Sequence, residues 1–288
     1  MRIVHFSDLH AGGRITDLRG IFDKRLLGTL NHFCRRRHTH DWARIPRAVA
    51  LIKQLKPDLV VCTGDLTTLS EPAEFERIQR DLRGLATDRR FELFFVPGNH
   101  DCYVPDEPCQ RSLREVFATL NRGRWRLEEL PVAVEFQHAR FVLVNEATPA
   151  PLYASYGEID ARTEAWLRAN LVAPAPRPTI LIGHYPLYDA DGYKLSWRRR
   201  CKNNGVLQKA FGAGVIRLAL CGHIHTPFVR QEANGVMEVC AGSLPHYGLL
   251  NVIDFDLVND RLHQRWVTVD VPEEPGPELA GLSVLARG

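Results

Sequence analysis

Five short runs of potential metal ligands, spaced widely along the chain, most constrain how this sequence folds. Each run contains Asp, Asn or His, and most of them stand directly behind an apolar stretch. The runs are Asp8-Leu9-His10, Gly64-Asp65, Gly98-Asn99-His100-Asp101, Gly183-His184 and Gly222-His223-Ile224-His225. In open α/β sheets, binding sites form just beyond the carboxyl ends of the strands. The pattern therefore predicts one metal site that is assembled from the ends of several buried strands.

Length, composition and charge limit the classes of protein to which this chain can belong. The chain has 288 residues, of which 45% are hydrophobic, and this is ample for a buried core. The net charge of +3 is lower than a general nucleic-acid-binding protein would carry, so nucleic acid is not an expected partner. No stretch reaches the roughly 18 apolar residues of a membrane span, and no signal-peptide pattern is present. We expect a cytoplasmic protein, with peripheral contact at the inner face of the membrane as an alternative.

The seven Cys residues form no Cys-x-x-Cys pair. This pattern favours reduced, buried thiols in a cytosolic protein. A disulfide between Cys102 and Cys109 is the alternative.

Strand and helix patterns alternate over the first 120 residues, which predicts α/β layers. Helical spacing indicates helices at 43–56, 71–85, 110–120 and 161–171. Apolar runs indicate strands at 2–7, 59–62, 91–96, 125–127, 132–136, 141–145, 179–182, 216–220, 228–231, 237–240, 250–256 and 262–267. Asn234-Gly235 predicts a hairpin turn. We expect two packed mixed sheets with helices outside, in one domain over residues 1–270, followed by a flexible tail at 271–288.

The five runs together indicate a metal site more clearly than any one of them does alone. Each run alone is typical of an ordinary turn at the end of a strand. Together they supply carboxylate, amide and imidazole donors, which suit manganese, iron or zinc. Two divalent ions close together need about seven such protein ligands plus waters. We therefore expect two divalent ions, with Mn²⁺ preferred over Fe or Zn.

In this order the runs resemble the motifs of the calcineurin-like metallophosphoesterase superfamily, over roughly residues 1–256. The resemblance implies an α/β fold, a four-layer αββα sandwich of two mixed β-sheets flanked by helices. It also implies a role for each ligand by its place in the motifs. Asp65 would bridge both metals. The first metal would be bound by Asp8, His10 and His225, and the second by Asn99, His184 and His223.

The resemblance gives His100 a different role. This residue would face the substrate phosphate while a metal-bound hydroxide attacks the phosphorus of a phosphodiester in line. His100 would stabilise the developing charge and protonate the leaving oxygen. The alternative is a purely structural histidine. Asp101 is expected to support the loop or to begin a helix rather than to bind a metal.

Differences between subfamilies narrow the reaction. Protein Ser/Thr phosphatases extend the second motif as Gly-Asp-x-x-Asp-Arg-Gly, and this chain lacks the second Asp and the Arg, so a protein phosphatase is not expected. Purple acid phosphatases place a Tyr ligand where this chain has Thr68, so an iron–tyrosinate pair is not expected either. The motif wording most resembles bacterial class III cyclic-nucleotide phosphodiesterases, which implies a 3′,5′-cyclic AMP type of substrate. Gly183-His184-Tyr185-Pro186 departs from their frequent His-His-Pro context.

Other functions remain open. The main alternative is a pyrophosphate hydrolase of the UDP-2,3-diacylglucosamine type, from lipid A synthesis. A nuclease is another alternative. A non-catalytic scaffold is disfavoured, because such members lose the histidine at position 100 or several ligands.

The segments between the motifs would select the substrate. An insert at 14–42 contains a basic amphipathic stripe at 24–37, which predicts either contact with a membrane or lipid, or a helix packed on the core with a solvated basic face. Arg198 and Arg199 are candidates for binding an anionic substrate, with simple loop solvation as the alternative. Tyr103 and His246 are further candidates for lining the substrate pocket.

Overall fold

The computed structural model describes residues 1–12, 24–26, 29, 39–151 and 154–270. Most of the predicted insert at 14–42, including most of its stripe at 24–37, lies outside the described residues. The predicted tail at 271–288 lies outside them as well.

The helices and strands alternate in the first half of the chain, as the sequence predicts. The helices are α1 (Arg44–Gln54), α2 (Pro72–Ala86), α3 (Glu107–Leu120), α4 (Ala161–Asn170), α5 (Gly205–Gly212) and α6 (Leu244–Tyr247). The strands are β1 (Arg2–Phe6), β2 (Leu59–Cys62), β3 (Glu92–Phe95), β4 (Val132–Phe136), β5 (Ala139–Leu143), β6 (Gly157–Glu158), β7 (Thr179–Ile182), β8 (Cys201–Lys202), β9 (Ile216–Cys221), β10 (Phe228–Gln231), β11 (Met237–Cys240), β12 (Leu249–Asp256) and β13 (Arg261–Thr268).

The strands form two mixed sheets. The first has the order β13-β12-β1-β2-β3, and the second has the order β10-β11-β9-β7-β5-β4. Strands β1, β2 and β3 run parallel, and β5, β7, β9 and β11 also run parallel in the second sheet. Both sheets therefore present the carboxyl ends of parallel central strands, where αβ folds place their sites. A separate short pair joins β6 to β8.

The two sheets pack face to face. Phe94 of β3 and Phe141 of β5 touch across the interface with ring centroids 5.5 Å apart. One apolar core continues through both sheets and the helices on the outer face of the first, including Ile45 and Leu113. A second core packs α4 and α5 against the outer face of the second sheet, including Leu167. The predicted αββα sandwich of two mixed sheets is confirmed.

Most predicted elements match within two or three residues, and the exceptions have local causes. The strand predicted at 125–127 is wrong, because Leu127–Glu129 forms a 3₁₀ turn in which Glu129 accepts the backbone N–H of Arg126 at 2.9 Å. Helix α5 escapes prediction because it begins at Gly205, and glycine disfavours helices. The hairpin at Asn234-Gly235 is confirmed by the antiparallel pairing of β10 with β11.

The described cysteines are all free and buried: Cys62, Cys102, Cys109, Cys201, Cys221 and Cys240. The alternative disulfide between Cys102 and Cys109 is therefore wrong. Among the described residues, no helix is both long and apolar enough to cross a membrane.

Candidate metal centre

Central strands of both sheets deliver the five runs to one place. The loops after β1, β2 and β3 of the first sheet meet the loops after β7 and β9 of the second. Backbone hydrogen bonds tie the loops together, from Asp8 N to the carbonyl of Gly64 at 3.0 Å and from Gly222 N to the carbonyl of His184 at 2.9 Å. The structure thereby brings together all seven residues that the sequence predicts as ligands.

Five of these seven residues have a left-handed backbone. The φ angles are 54° for Asp8, 46° for His10, 53° for Asp65, 71° for His223 and 63° for His225. A positive φ is uncommon for residues other than glycine and costs about 1 kcal/mol or more at each position. Such conformations cluster where the surrounding structure enforces a functional geometry, and here they turn each side chain inward just after its strand.

A first group of donors surrounds the inner face of Asp8. Its Oδ1 lies 3.7 Å from His10 Nε2 and 3.5 Å from His225 Nε2. The two imidazole nitrogens lie 2.9 Å apart. Ligand atoms of Asp8, His10, Asp65 and His225 all fall within 4.8 Å of one another. Donors that bind one ion at about 2.1 Å stand about 3.0 to 3.4 Å apart, so this spacing suits a transition-metal ion.

A second group of donors surrounds the amide oxygen of Asn99. Asn99 Oδ1 lies 2.9 Å from His223 Nδ1 and 3.3 Å from His184 Nε2. Burial lowers the pKa of His223 well below its ordinary value, and the charge of His184 lowers it further. A neutral imidazole is the form that binds a metal.

Asp65 lies between the two groups. Its Oδ2 is 3.7 Å from His10 Nε2 and 3.5 Å from His184 Nε2. This oxygen is buried, and it has no hydrogen-bond partner among the described residues. A buried carboxylate oxygen without a partner is costly unless a cation binds it. The donor set therefore fits a metal centre, with Asp65 Oδ2 between the two groups of donors.

In the absence of metal, the pKa values of the candidate ligands indicate that positive charge stabilises this site. Burial raises the pKa of Asp8 to about 7, and the neighbouring charge of Asp65 adds to this rise. Burial also raises the pKa of Asp65, but His184, His100 and His10 hold it well below its ordinary value. Burial lowers the pKa of His184, whereas the charge of Asp65 raises it to about 10. A proton on His184 thus occupies a place that a metal ion would take.

Backbone carbonyls orient two of the ligand histidines. His10 Nδ1 donates to the carbonyl of Thr67 at 3.2 Å, and His184 Nδ1 donates to the carbonyl of Thr63 at 2.5 Å. A carbonyl oxygen only accepts hydrogen bonds, so Nδ1 carries the proton in each ring. In the neutral form of each ring, the lone pair of Nε2 then faces the centre, as in many metal sites.

His100 stands beside the first group without joining either set of donors. Its ring meets that of His10 edge-on, with centroids 4.8 Å apart, and stacks on Tyr103 at 5.1 Å and 10°. Nδ1 donates to the carbonyl of Thr68 at 2.7 Å. In the neutral ring, Nε2 is therefore the nitrogen without a proton.

Buried carboxyl groups brace two of the loops. Asp101 accepts from Gly98 N at 3.0 Å and from Thr67 N at 3.1 Å, so it supports the loop and is not among the donors. Gly98 itself must be glycine, because a Cβ there would collide with Asp65 and His184.

Glu146 was not predicted from the sequence. Its Oε2 accepts from the backbone N–H groups of His184 at 2.8 Å and Tyr185 at 2.9 Å. Burial raises its pKa to about 7. The signal available in the sequence was a carboxylate shortly after an apolar strand, β5, the construction that marks the five runs.

A cavity of about 400 Å³ opens beside His100 and Asn99. Three of the four residues predicted to bind substrate line it: Tyr103, Arg198 and Arg199. Lys24 also lines it, a residue that the sequence marked only as part of the insert.

The fourth, His246, is not among the described residues that line this cavity. It lies on α6, where its Nδ1 donates to the carbonyl of Thr39 at 2.8 Å and its ring faces His40 at 5.6 Å. His40 in turn lies 6.2 Å from the ring of His10. His246 therefore belongs to a histidine cluster on the side of the first donor group.

Comparisons with known proteins agree with this geometry. The chain is 27% identical over 190 residues to a 3′,5′-cyclic-nucleotide phosphodiesterase of Nostoc sp., covering 64% of this chain and 62% of that protein. It is 26% identical over 231 residues to a cAMP/cGMP dual specificity phosphodiesterase of Mycobacterium tuberculosis, covering 77% of this chain and 61% of the relative. The chain thus spans about three fifths of the length of these relatives.

A solved structure shares the fold. The dimetal phosphatase from Danio rerio superposes with a TM-score of 0.61 at 14% identity, covering 93% of this chain and 96% of that one. A family model described as calcineurin-like phosphoesterase matches residues 1–227. Because that match covers most of the sequence, the chain belongs to the calcineurin-like phosphoesterase family.

Proposed function

We propose that this chain hydrolyses a phosphodiester at a centre of two divalent metal ions. The observation that carries the proposal is Asp65 Oδ2, a buried oxygen without a partner among the described residues that lies between two groups of N and O donors. Asp8, His10 and His225 would hold one ion and Asn99, His184 and His223 the other. Mn²⁺ is the first choice, since carboxylate, amide and imidazole donors suit it, with Fe and Zn as alternatives.

The ions would lower the pKa of a water molecule and neutralise the phosphoryl oxygens. The protein's own contribution is rigid placement. A left-handed backbone at five of these residues sets the direction in which each side chain leaves the main chain. Such placement removes the entropic cost of bringing attacking water and phosphorus together.

His100 would supply the proton for the leaving oxygen. The carbonyl of Thr68 holds the proton on Nδ1, and the stacked ring of Tyr103 limits rotation of the imidazole. Nε2 is therefore presented to the substrate in one orientation. This arrangement is what a general acid requires, because proton transfer depends first on geometry and then on pKa.

A cyclic nucleotide of the 3′,5′-cyclic AMP type is our first candidate substrate. The two phosphodiesterases described above are named for such substrates, and the motif wording resembles theirs. A nucleotide-lipid pyrophosphate of the UDP-2,3-diacylglucosamine type is the second candidate. The observation that favours it is the cation-rich cavity beside His100.

The activity is tested by Mn²⁺-dependent hydrolysis of bis-p-nitrophenyl phosphate. We expect Asp65→Ala to abolish turnover and His100→Ala to reduce it, whereas His263→Ala, at an exposed position on β13, serves as the matched control. Equal rates in all four proteins would contradict the site. A parallel panel of cyclic AMP, UDP-2,3-diacylglucosamine and phosphomonoesters then ranks the substrate classes.

Peripheral membrane contact through residues 24–37 stays a prediction, since most of that segment lies outside the described residues. Flotation with vesicles of anionic and of neutral lipid measures it directly. Binding to neither vesicle would leave the stripe with a packing role only.

A further inference from the structure

The cavity beside His100 is lined on several sides by cations. Lys24, Arg198 and Arg199 all contribute to its walls, and no carboxylate does so among the described residues that line it. Like charges that face one cavity repel each other unless an anion enters. The cavity is therefore built to receive negative charge.

The reacting phosphate does not supply enough of that charge. Two divalent ions bring four positive charges, against which Asp8 and Asp65 bring two negative charges and an attacking hydroxide one more. A phosphodiester with one negative charge balances the remainder. The positive charges of the three cations that line the cavity are then not balanced by any anion. A cyclic mononucleotide carries no second negative charge that could balance them.

Lys24 is held in place within this cavity. Its Nζ donates to the carbonyl of Ala150 at 2.9 Å and lies 4.1 Å from the centre of the Tyr103 ring, the ring that stacks on His100. The next residue, Arg25, is buried and pairs with Glu71 at 2.8 Å, which anchors this piece of chain to the start of α2. An ammonium group fixed in this way loses little further freedom when it binds an anion.

We propose that Lys24 is a specificity-determining residue that binds a second anionic group of the substrate, on the leaving-group side of the reacting phosphate. The inference rests on the proposed phosphodiesterase activity and favours its second substrate class, a pyrophosphate diester of the nucleoside diphosphate type. Water attacks one phosphorus, the bridging P–O bond breaks, and the second phosphate leaves with the proton that His100 donates. The products are two phosphate monoesters.

Lys24→Met tests this with two substrates, UDP-glucose as the pyrophosphate diester and bis-p-nitrophenyl phosphate as the monoanion. For each substrate, the ratio of kcat/KM in the variant to kcat/KM in the wild type is independent of the intrinsic reactivity of that substrate. We expect kcat/KM for UDP-glucose to fall by about tenfold or more beyond any fall for bis-p-nitrophenyl phosphate, as is typical when a charged hydrogen bond is lost. Lys24→Arg should recover most of the loss.

Lys194→Met is the matched control, because Lys194 is exposed and is not among the described residues that line the cavity. Equal losses for both substrates, or the same selective loss in Lys194→Met, would overturn the role of Lys24. If the wild type hydrolysed neither substrate, the result would instead count against the proposed function.

A binding measurement decides the matter without turnover. We expect inorganic pyrophosphate to bind the wild type about tenfold more tightly than it binds Lys24→Met, in protein stripped of metal as well as in protein loaded with Mn²⁺. Unchanged affinity in both states would refute the proposal.

Discussion

Asp65 divides its two carboxylate oxygens between the metal centre and His100. Oδ1 accepts the backbone N–H of His100 at 2.7 Å, while Oδ2 lies 3.5 Å from Nε2 of His184. One side chain thus connects the two groups of donors to the loop that carries His100, the proposed acid. We therefore expect a movement of Asp65 to disturb both proposed roles, metal binding and proton transfer.

Substitution of Asp65 separates these two roles. We expect both Asp65→Asn and Asp65→Ala to weaken Mn²⁺ binding by more than about 100-fold, because even loss of a partner behind a ligand costs 10- to 100-fold. Asparagine keeps an oxygen that accepts from His100 N, and alanine does not. In protein with EDTA, alanine should therefore be less stable than asparagine by about 1 to 3 kcal/mol.

Metal content after dialysis and urea unfolding measure the two effects. Both variants lose the charge beside His184, so the difference between them reports the hydrogen bond together with the packing of the amide group. A variant at position 65 that retains a full complement of Mn²⁺ would argue against the bridging role.

Replacement of His100 should affect substrates according to their leaving groups. If His100 donates the proton, His100→Asn slows the release of an alkoxide by about 10² to 10⁴ and slows the release of p-nitrophenolate much less, since that anion leaves without a proton. Rates for methyl p-nitrophenyl phosphate and for a dialkyl phosphate make the comparison. Metal content should remain at the wild-type level, and equal slowing of both reactions would mean that His100 does not act as the acid.

Glu146 should matter through the loop that it holds. Glu146→Ala leaves the backbone N–H groups of His184 and Tyr185 without their acceptor, and we expect a loss of about 2 to 4 kcal/mol in unfolding free energy. Mn²⁺ binding at the second donor group should weaken by about 10- to 100-fold.

Glu146→Gln keeps an acceptor oxygen and should retain most of both properties. Glu115→Ala, on the exposed face of α3, gives the baseline for loss of a carboxylate. Urea unfolding and Mn²⁺ titration are the measurements, and an alanine variant at position 146 that behaves like this baseline would show that the loop is held by other contacts.

Glu238 should make the stability of the protein depend on pH. It is fully buried on β11, where it accepts from Leu187 N at 2.6 Å and pairs with Arg230 at 3.1 Å. Burial raises its pKa to about 7, although Leu187 and Arg230 both act to lower it. The ordinary value for the unfolded chain is 4.5.

The folded state therefore binds more protons than the unfolded state between these two values. The contribution of Glu238 is fully present below the unfolded pKa and declines as pH rises through 7, by an amount on the order of 3 kcal/mol. Glu238→Gln cannot titrate, so the stability of the wild type relative to this variant should fall over that range. Urea unfolding at a series of pH values, with EDTA present, measures the difference, and a constant difference would disprove the shift.

The order of the five runs, with their strand and helix patterns, predicted the layered fold and the set of candidate ligands. Apolar periodicity indicates which positions are buried and whether they belong to a strand or a helix. The carboxyl ends of parallel strands meet at one edge of a sheet, so the residues that follow these strands can be predicted to lie together. Helix α5 escaped prediction because it begins at a glycine, which disfavours helices. The turn at 127–129 escaped it because a local side-chain contact outweighed the apolar pattern.

Only the tertiary structure decided how those candidate ligands are arranged into two groups and what surrounds them. The sequence gives no distance between Asp65 and His184, and no sign that Glu146 supports the loop of His184 from another strand. From the sequence, Lys24 was only one member of a basic stripe, whereas in the folded structure it lines the cavity beside His100. Such relationships join residues far apart in the chain, because they depend on how two sheets pack, and local patterns carry no information about that contact.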